Sequence, residues 1–543
     1  MSATQSDGGV GDGRDRSASE RVDVCVVGAG PAGGLVADRL ASAGHDVVVL
    51  EAGPRFDASD RRERMERAIR PSYHPDDVWD MGGDRDAYTS SGERGYPLNA
   101  ARVKGVGGST LHWQGMVFRL HEGDFEMQSR HGVSDDWPIA YDDLKPYYAT
   151  AETELGVAGT AGDNPFAPPR DEPYPMPGFP PSYSDSLFAE ACDALDVTTH
   201  SVPNARNSEP YDDRGACQGY GTCKPVCPSG AKYDATVHVA RAEDEGARVV
   251  DRAPVQRLEH DRAGDAVDAA VYATPDGEEH RQAAREFVLA AGGVEIPRLL
   301  LLSASEQYPR GLANTSGLVG KYFHDHLFAG MGGRLDEPTR QNHVGFLTSE
   351  SHQFYDDVTD ERGPFKLEFL NYAGPSPVEL ALDGDSFGDA LLEELRGAYG
   401  TAIAMGGLAA QPPRKDNYVS LDSSTTDDHG NPVPDVHWSI GERARNTVRA
   451  ANEKQREILE ELGASIEWTV GPDATGPAFH HMGTTRMSAD PAEGVVDPQL
   501  RTHDLENCSV ASSAAFVHGG ALNPTLTIAA LALKCADHVD ERL

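Results

Sequence analysis

The chain has 543 residues, long for one simple core and suited to one large composite enzyme or two intimate domains. Acidic residues number 87 against 48 basic ones, a net charge of −39, which argues against nucleic acid or an anionic membrane as partner. The acidic balance resembles the surfaces of proteins from salt-loving organisms, and no run of 18 or more apolar residues offers a membrane span.

Residues 1–20 are polar and rich in Gly, Ser and Asp, which predicts a disordered acidic tail without a signal peptide and, by default, a cytoplasmic location. Val22–Val27 is a β-branched run, predicted as a buried strand; Gly33–Ala43 reads as a helix closed by Gly44, and Val47–Leu50 as a second buried strand. The turn between the first strand and the helix is Gly28-Ala29-Gly30-Pro31-Ala32-Gly33, a G-x-G-x-x-G in a strand-to-helix context. Gly28 permits the tight turn, Gly30 lets the backbone approach a pyrophosphate, and Gly33 lets helix and strand pack closely. The helix N-terminus adds a partial positive charge, and Glu51 at the end of the second strand can accept hydrogen bonds from a ribose diol. This βαβ opening predicts a doubly wound dinucleotide-binding domain.

Further along, Arg55–Arg94 is charged and irregular, with helix expected there only around Asp60–Ile69, and the proline-rich stretch Asp163–Tyr183 reads as a long loop or domain crossing. Arg248–Ala273 reads as strands in alternation, and Phe287–Ala290 as a short buried strand followed by Gly292, Gly293 and a helix near Pro297–Ser303. Glu442–Gly463 has helical spacing, and Asn523–Asp540 reads as a closing helix, with Asn523 as its N-cap and Pro524 in the first helical position.

Cys217, Cys223 and Cys227 fall as C-x5-C-x3-C, followed by Pro228, on a segment whose Gly219, Gly221 and Pro225 mark a loop. Three thiolates on a loop can wrap a soft metal or an iron–sulfur cluster. A zinc site completed by a fourth ligand and free structural thiols are the competing readings. His324 and His326 flank Asp325 but lack an evident third ligand and read as structural.

Several segments resemble the glucose-methanol-choline (GMC) oxidoreductases. They are Lys104 to Trp113, with Gly107-Gly108-Ser109; Trp137-Pro138 with Tyr141 to Tyr148; Leu289 to Gly292 with Pro297 to Leu300; His480-His481-Met482-Gly483-Thr484; and Asn523 to Thr527. The resemblance implies FAD, oxidation of a CH–OH group, and an α/β fold in which a Rossmann-like FAD-binding domain is interleaved with an α+β substrate-binding domain. The expected division gives 21–120, 231–330 and 471–543 to the FAD domain, and 121–230 and 331–470 to the substrate domain, with a cysteine loop at 217–227. It places Gly107, Gly108 and Ser109 beside the flavin, and His480 at the catalytic histidine's position. Asn523 stands where relatives carry His or Asn. His112 lies where some relatives attach the flavin covalently and others hold it without a bond. Ser512 departs from the Asp or Gly common among relatives. Within the family the cysteine spacing is similar to the catalytic subunits of FAD glucose, fructose and gluconate 2-dehydrogenases, which implies a three-iron four-sulfur cluster. It also implies a small accessory subunit that carries the complex out of the cell, and a cytochrome-type acceptor.

The chemistry agrees with the resemblance on independent grounds. Taking a hydride from a carbinol carbon needs an acceptor that no side chain can be, a base for the hydroxyl proton, and a donor to the oxygen. The leading expectation is a dehydrogenase acting on a sugar, sugar acid or polyol; an oxidase using dioxygen and a non-catalytic flavin-binding protein are the alternatives.

Overall fold

The computed structural model describes residues 21–70, 78–100, 102–340, 344–372 and 374–543; the tail expected at 1–20 lies outside them. Val22–Val27 is buried except at Asp23, as expected of a central strand of a parallel sheet. It pairs in parallel with Val47–Leu50 on one side and with the end of Glu279–Leu289 on the other, in register Val22↔Ala284 and Val27↔Leu289. Arg248–Val250 and Cys508–Val510 extend the sheet at its two edges. The strand predicted at Phe287–Ala290 is thus the end of a much longer one. Its first half leaves the parallel sheet and pairs antiparallel with Val267–Ala273, which pairs in turn with Val255–His260.

Helix Pro31–Ser42 starts two residues earlier than expected, because Pro31 fits the first helical position. It packs against the closing helix Thr525–Asp540 and against Thr236–Asp244. Gly34 makes the second approach possible, since a Cβ there would meet the Ala235 carbonyl oxygen at 3.3 Å. Helix Gly292–Leu302 begins directly after its strand, with Pro297 inside it. Proline cannot bond the carbonyl four residues back. That carbonyl, Gly293 O, accepts instead from the Thr484 hydroxyl at 2.7 Å. The closing helix begins at Thr525 with Pro524 at its cap and no side-chain cap bond, so the N-cap role expected of Asn523 is not observed.

A second sheet is antiparallel. Its order is Ser465–Val470, Gly330–Arg334, Ala402–Ala410, Phe365–Leu370, Ser349–Ser351 and His200–Ser201, with His326–Phe328 continuing the edge beside Ala402–Ala410. Helix Glu442–Glu461 covers one face, burying Val448, Ile458 and Leu459. The other face supplies Phe328, Glu368 and Leu408 to a large cavity. The sheet roofs that cavity, and the glycine turn of the parallel sheet floors it.

Candidate active site

The cavity is about 830 Å³ and runs from the glycine turn to the second sheet. Its walls include Gly28, Gly30 and Glu51, then Gly108, Ser109 and His112, and also His480, His481 and Asn523. Gly33 and Gly107 do not reach it. A Cβ on Gly33 would sit 1.8 Å from Gly28 O, so this glycine serves helix–strand packing, and Gly107 takes a left-handed turn at φ 107°. A Cβ on Gly30 would find nothing nearer than Gly108 Cα at 4.0 Å, which leaves the backbone open to a phosphate group. The Glu51 oxygens accept from the backbone N–H of Ala29 at 2.8 Å and Gly53 at 2.9 Å, so the carboxylate orders the turn itself. Ser512 lines the cavity and caps the short helix Ser513–Ala515 through the Ala514 N–H.

The His480 segment is pinned by a carboxylate. Asp325 Oδ1 accepts from the backbone N–H of His326 at 2.6 Å and of His480 at 2.8 Å, and Oδ2 accepts from Phe479 N–H at 3.1 Å and from the Tyr96 hydroxyl. Burial raises the Asp325 carboxyl to about 6 against those donors. Gly483 completes the turn at φ 89°, where a Cβ would strike Tyr322 O at 2.4 Å.

Two imidazoles then fix each other's protons. His326 Nε2 lies 3.1 Å from the Gly519 carbonyl, and His326 Nδ1 lies 2.8 Å from His480 Nδ1. A carbonyl only accepts, so His326 carries its proton on Nε2 and leaves Nδ1 bare. His480 must therefore donate from Nδ1, which leaves its Nε2 with a free lone pair on a residue that lines the cavity. Burial holds both rings neutral: His326 falls to about 3, and His480 lies well below the usual histidine range, with His326, Lys366, His481 and Lys224 reinforcing the effect. His481 packs edge-on against Tyr96 at 5.6 Å, and its buried Nε2 has no partner among the described residues. Such an orphan on the wall of the cavity fits contact with a bound group. Sequence reasoning set His326 aside as structural and did not single out Asp325 or Tyr96. The one available signal was the His324-Asp325-His326 triplet.

Family models for GMC oxidoreductase match residues 178–328 and 413–532, and a model for an NAD(P)-binding Rossmann-like domain matches 26–71. The chain is 35% identical to the fructose dehydrogenase large subunit of Gluconobacter japonicus, over 95% of this chain and 97% of that one. The chain belongs to the GMC oxidoreductase family. It is also 29% identical to 2-methyl-1,2-propanediol dehydrogenase of Mycolicibacterium austroafricanum, over 97% and 96% of the two chains. A solved structure of formate oxidase shares the fold, with a TM-score of 0.68 at 17% identity over 97% of this chain and 99% of that one. As a GMC oxidoreductase the protein is an FAD flavoprotein acting on CH–OH donors.

The cysteine loop of this GMC oxidoreductase lies against the segment from Val103 to Leu111. Val226 is buried with Val103 and Leu111, and Trp79 Nε1 donates to Pro225 O at 3.2 Å. Cys223 and Cys227 are buried and Cys217 is partly exposed. The Lys232 ammonium, 1 % exposed, donates to the carbonyls of Leu111 at 3.2 Å, Trp113 at 2.5 Å and Cys223 at 2.9 Å. The Lys232 backbone N–H points at Cys227 Sγ, 3.4 Å away. Burial lowers the Lys232 ammonium to about 8, while Cys227 and Cys223 favour its charged form. A buried cation bonded to carbonyls and flanked by sulfurs suits an anionic thiolate set.

Proposed function

We propose that the protein is a dehydrogenase that oxidises a CH–OH group of a sugar, sugar acid or polyol and passes the electrons out through an iron–sulfur cluster. FAD, when bound along the cavity, supplies the hydride acceptor. Gly28, Gly30 and Glu51 would hold its nucleotide end, and Gly107, Gly108, Ser109 and His112 would form the segment beside its ring. The reading rests above all on the His326–His480 hydrogen bond, which keeps His480 Nε2 unprotonated where it lines the cavity.

The substrate hydroxyl donates to His480 Nε2, and its proton moves onto the ring as the carbinol carbon gives up hydride. The alcohol proton becomes strongly acidic as hydride departs, so a base with little proton affinity suffices and is ready at neutral pH. Asn523, which also lines the cavity, donates to the oxygen and steadies its growing charge. The second sheet and the cysteine loop would form the substrate half, with residues 21–120, 231–330 and 471–543 as the FAD half.

Cys217, Cys223 and Cys227 would hold a three-iron four-sulfur cluster, which accepts electrons singly. Each thiolate of a cluster bonds a different iron, so these sulfurs need not converge as ligands of one ion do. The relative named as a large subunit supports a small accessory subunit, and a cytochrome-type acceptor and export with that partner complete the proposal.

The test uses full-length protein purified without air. The expected results are flavin absorption, about three irons per chain, rapid bleaching by D-fructose or 2-methyl-1,2-propanediol, and slow reoxidation by air. Flavin without iron would remove the cluster, and fast complete reoxidation with peroxide release would make the protein an oxidase.

A further inference from the structure

Lys366 sits on strand Phe365–Leu370 with its side chain fully buried. Its ammonium has three near acceptors: Glu350 Oε2 at 2.8 Å, Glu368 Oε1 at 3.1 Å and Asn523 Oδ1 at 3.0 Å. Two of these contacts are hydrogen bonds, to Glu350 and Asn523, and the third pairs the ammonium with the Glu368 charge. The Glu350 side is itself fixed, since Glu350 Oε1 is 2.7 Å from His352 Nε2, and the His352 backbone N–H donates to His200 Nε2 at 3.1 Å. Among the described residues His200, Glu350 and His352 also form a compact buried trio. Their ligand atoms are spent on each other and on Lys366, which makes the trio a brace and not a metal site.

We propose that Lys366 is a positioning residue that sets the direction of the Asn523 amide, turning its nitrogen to the substrate oxygen. An ammonium can only donate, so the amide must present oxygen to it. Nδ2 is then the remaining polar atom of a side chain that lines the cavity. A cation on the amide oxygen also polarises the amide and strengthens the N–H as a donor. The inference rests on the proposed alcohol oxidation. It adds that the donor is held in place by a strand of the second sheet, 157 residues away in sequence.

A double-mutant cycle in the FAD-loaded full chain tests this, with D-fructose or 2-methyl-1,2-propanediol as reductant, whichever bleaches the native flavin. Asn523→Ala is expected to slow anaerobic flavin reduction about 100-fold. Lys366→Met should slow it about tenfold in the native background, mainly in the limiting rate and not in half-saturation, and less than about twofold beside Asn523→Ala. Melting temperatures read in parallel should show Lys366→Met keeping most of its cost beside Asn523→Ala, because the brace on Glu350 and Glu368 is separate from the amide bond. Equal rate factors in both backgrounds, or no rate effect, would overturn the proposal. If Lys366→Met does not fold, Asn523→Asp decides on intact lysine: with its oxygen held by Lys366 it offers the cavity only an acceptor, so it should be as slow as Asn523→Ala. A rate near native would overturn the assigned direction. A native enzyme reduced by neither alcohol would instead count against the proposed function, leaving these arms distinct.

Discussion

His326→Leu isolates the device that prepares the base. The substitution removes the acceptor that His480 Nδ1 has among the described residues, while the ring's place is still held by the Asp325 bonds to the backbone of Phe479 and His480. The reactive form of His480, with its proton on Nδ1, then carries a buried unsatisfied donor. Such a donor costs about 1–3 kcal/mol, which at about 1.4 kcal/mol per decade lowers the reactive population by about 5- to 150-fold. The loss should appear in the limiting rate of anaerobic flavin reduction, followed by stopped flow. His326→Gln, whose side-chain carbonyl can accept, should recover part of it. Flavin content should match the native protein, because His326 is not among the residues lining the cavity. A His326→Leu variant with full flavin that reduces within twofold of native would refute the tautomer argument.

Gly30→Val and Gly33→Ala should fail in different ways. Gly30 has φ −78° and open space before it, so the valine protein is expected to fold with a near-native melting temperature and to purify without yellow colour, whereas Gly33→Ala, whose Cβ falls 1.8 Å from Gly28 O, should not fold. Serine at any one of Cys217, Cys223 or Cys227 is expected to lower iron below one atom per chain with flavin retained; unchanged iron would remove that cysteine from the ligand set. Acid should destabilise the cofactor-free protein early. Buried His200 and His324 fall to about 4, His326, His481 and His518 to about 3, and His352 and His480 lie well below the usual range, so below 6.5 the unfolded chain binds seven protons that these buried rings refuse. Asp124 and Asp325, raised to about 6, take up protons when folded, and burial raises Asp38, Glu51 and Glu368 as well, which offsets part of this and leaves the histidines in the majority. The melting temperature should therefore fall from pH 6.5 toward 5, and a flat profile there would contradict the buried, neutral histidines.

The glycine turn and its strands were legible because every part lies within thirty residues and follows local rules: β-branched strand, glycine at the sharp turn, acid at the next strand end. His480 and Asn523 were legible through short motifs. The groups that prepare them were not, because His326 lies 154 residues from His480 and Lys366 lies 157 from Asn523, and only the tertiary fold brings each pair together. The second sheet hid for another reason. Gly330–Arg334 is glycine-rich and lacks a strand's usual composition, yet its glycines make room for partners: a Cβ on Gly332 would strike the Trp468 ring at 2.5 Å and one on Gly333 the Ser465 oxygen at 1.8 Å. Closing helix and capping went the other way. Asn523 has a cap's composition, but its side chain is claimed by a buried lysine, which outweighs a local backbone bond.

The Asp325 carboxylate gathers four donors from three places in the chain: Tyr96, the start of the roofing strand at His326, and Phe479 and His480 of the loop beside it. A clamshell movement that swung the roofing strand away from the His480 loop would have to break those attachments together. One carboxylate thereby ties the first strand of the roof to the loop that carries His480.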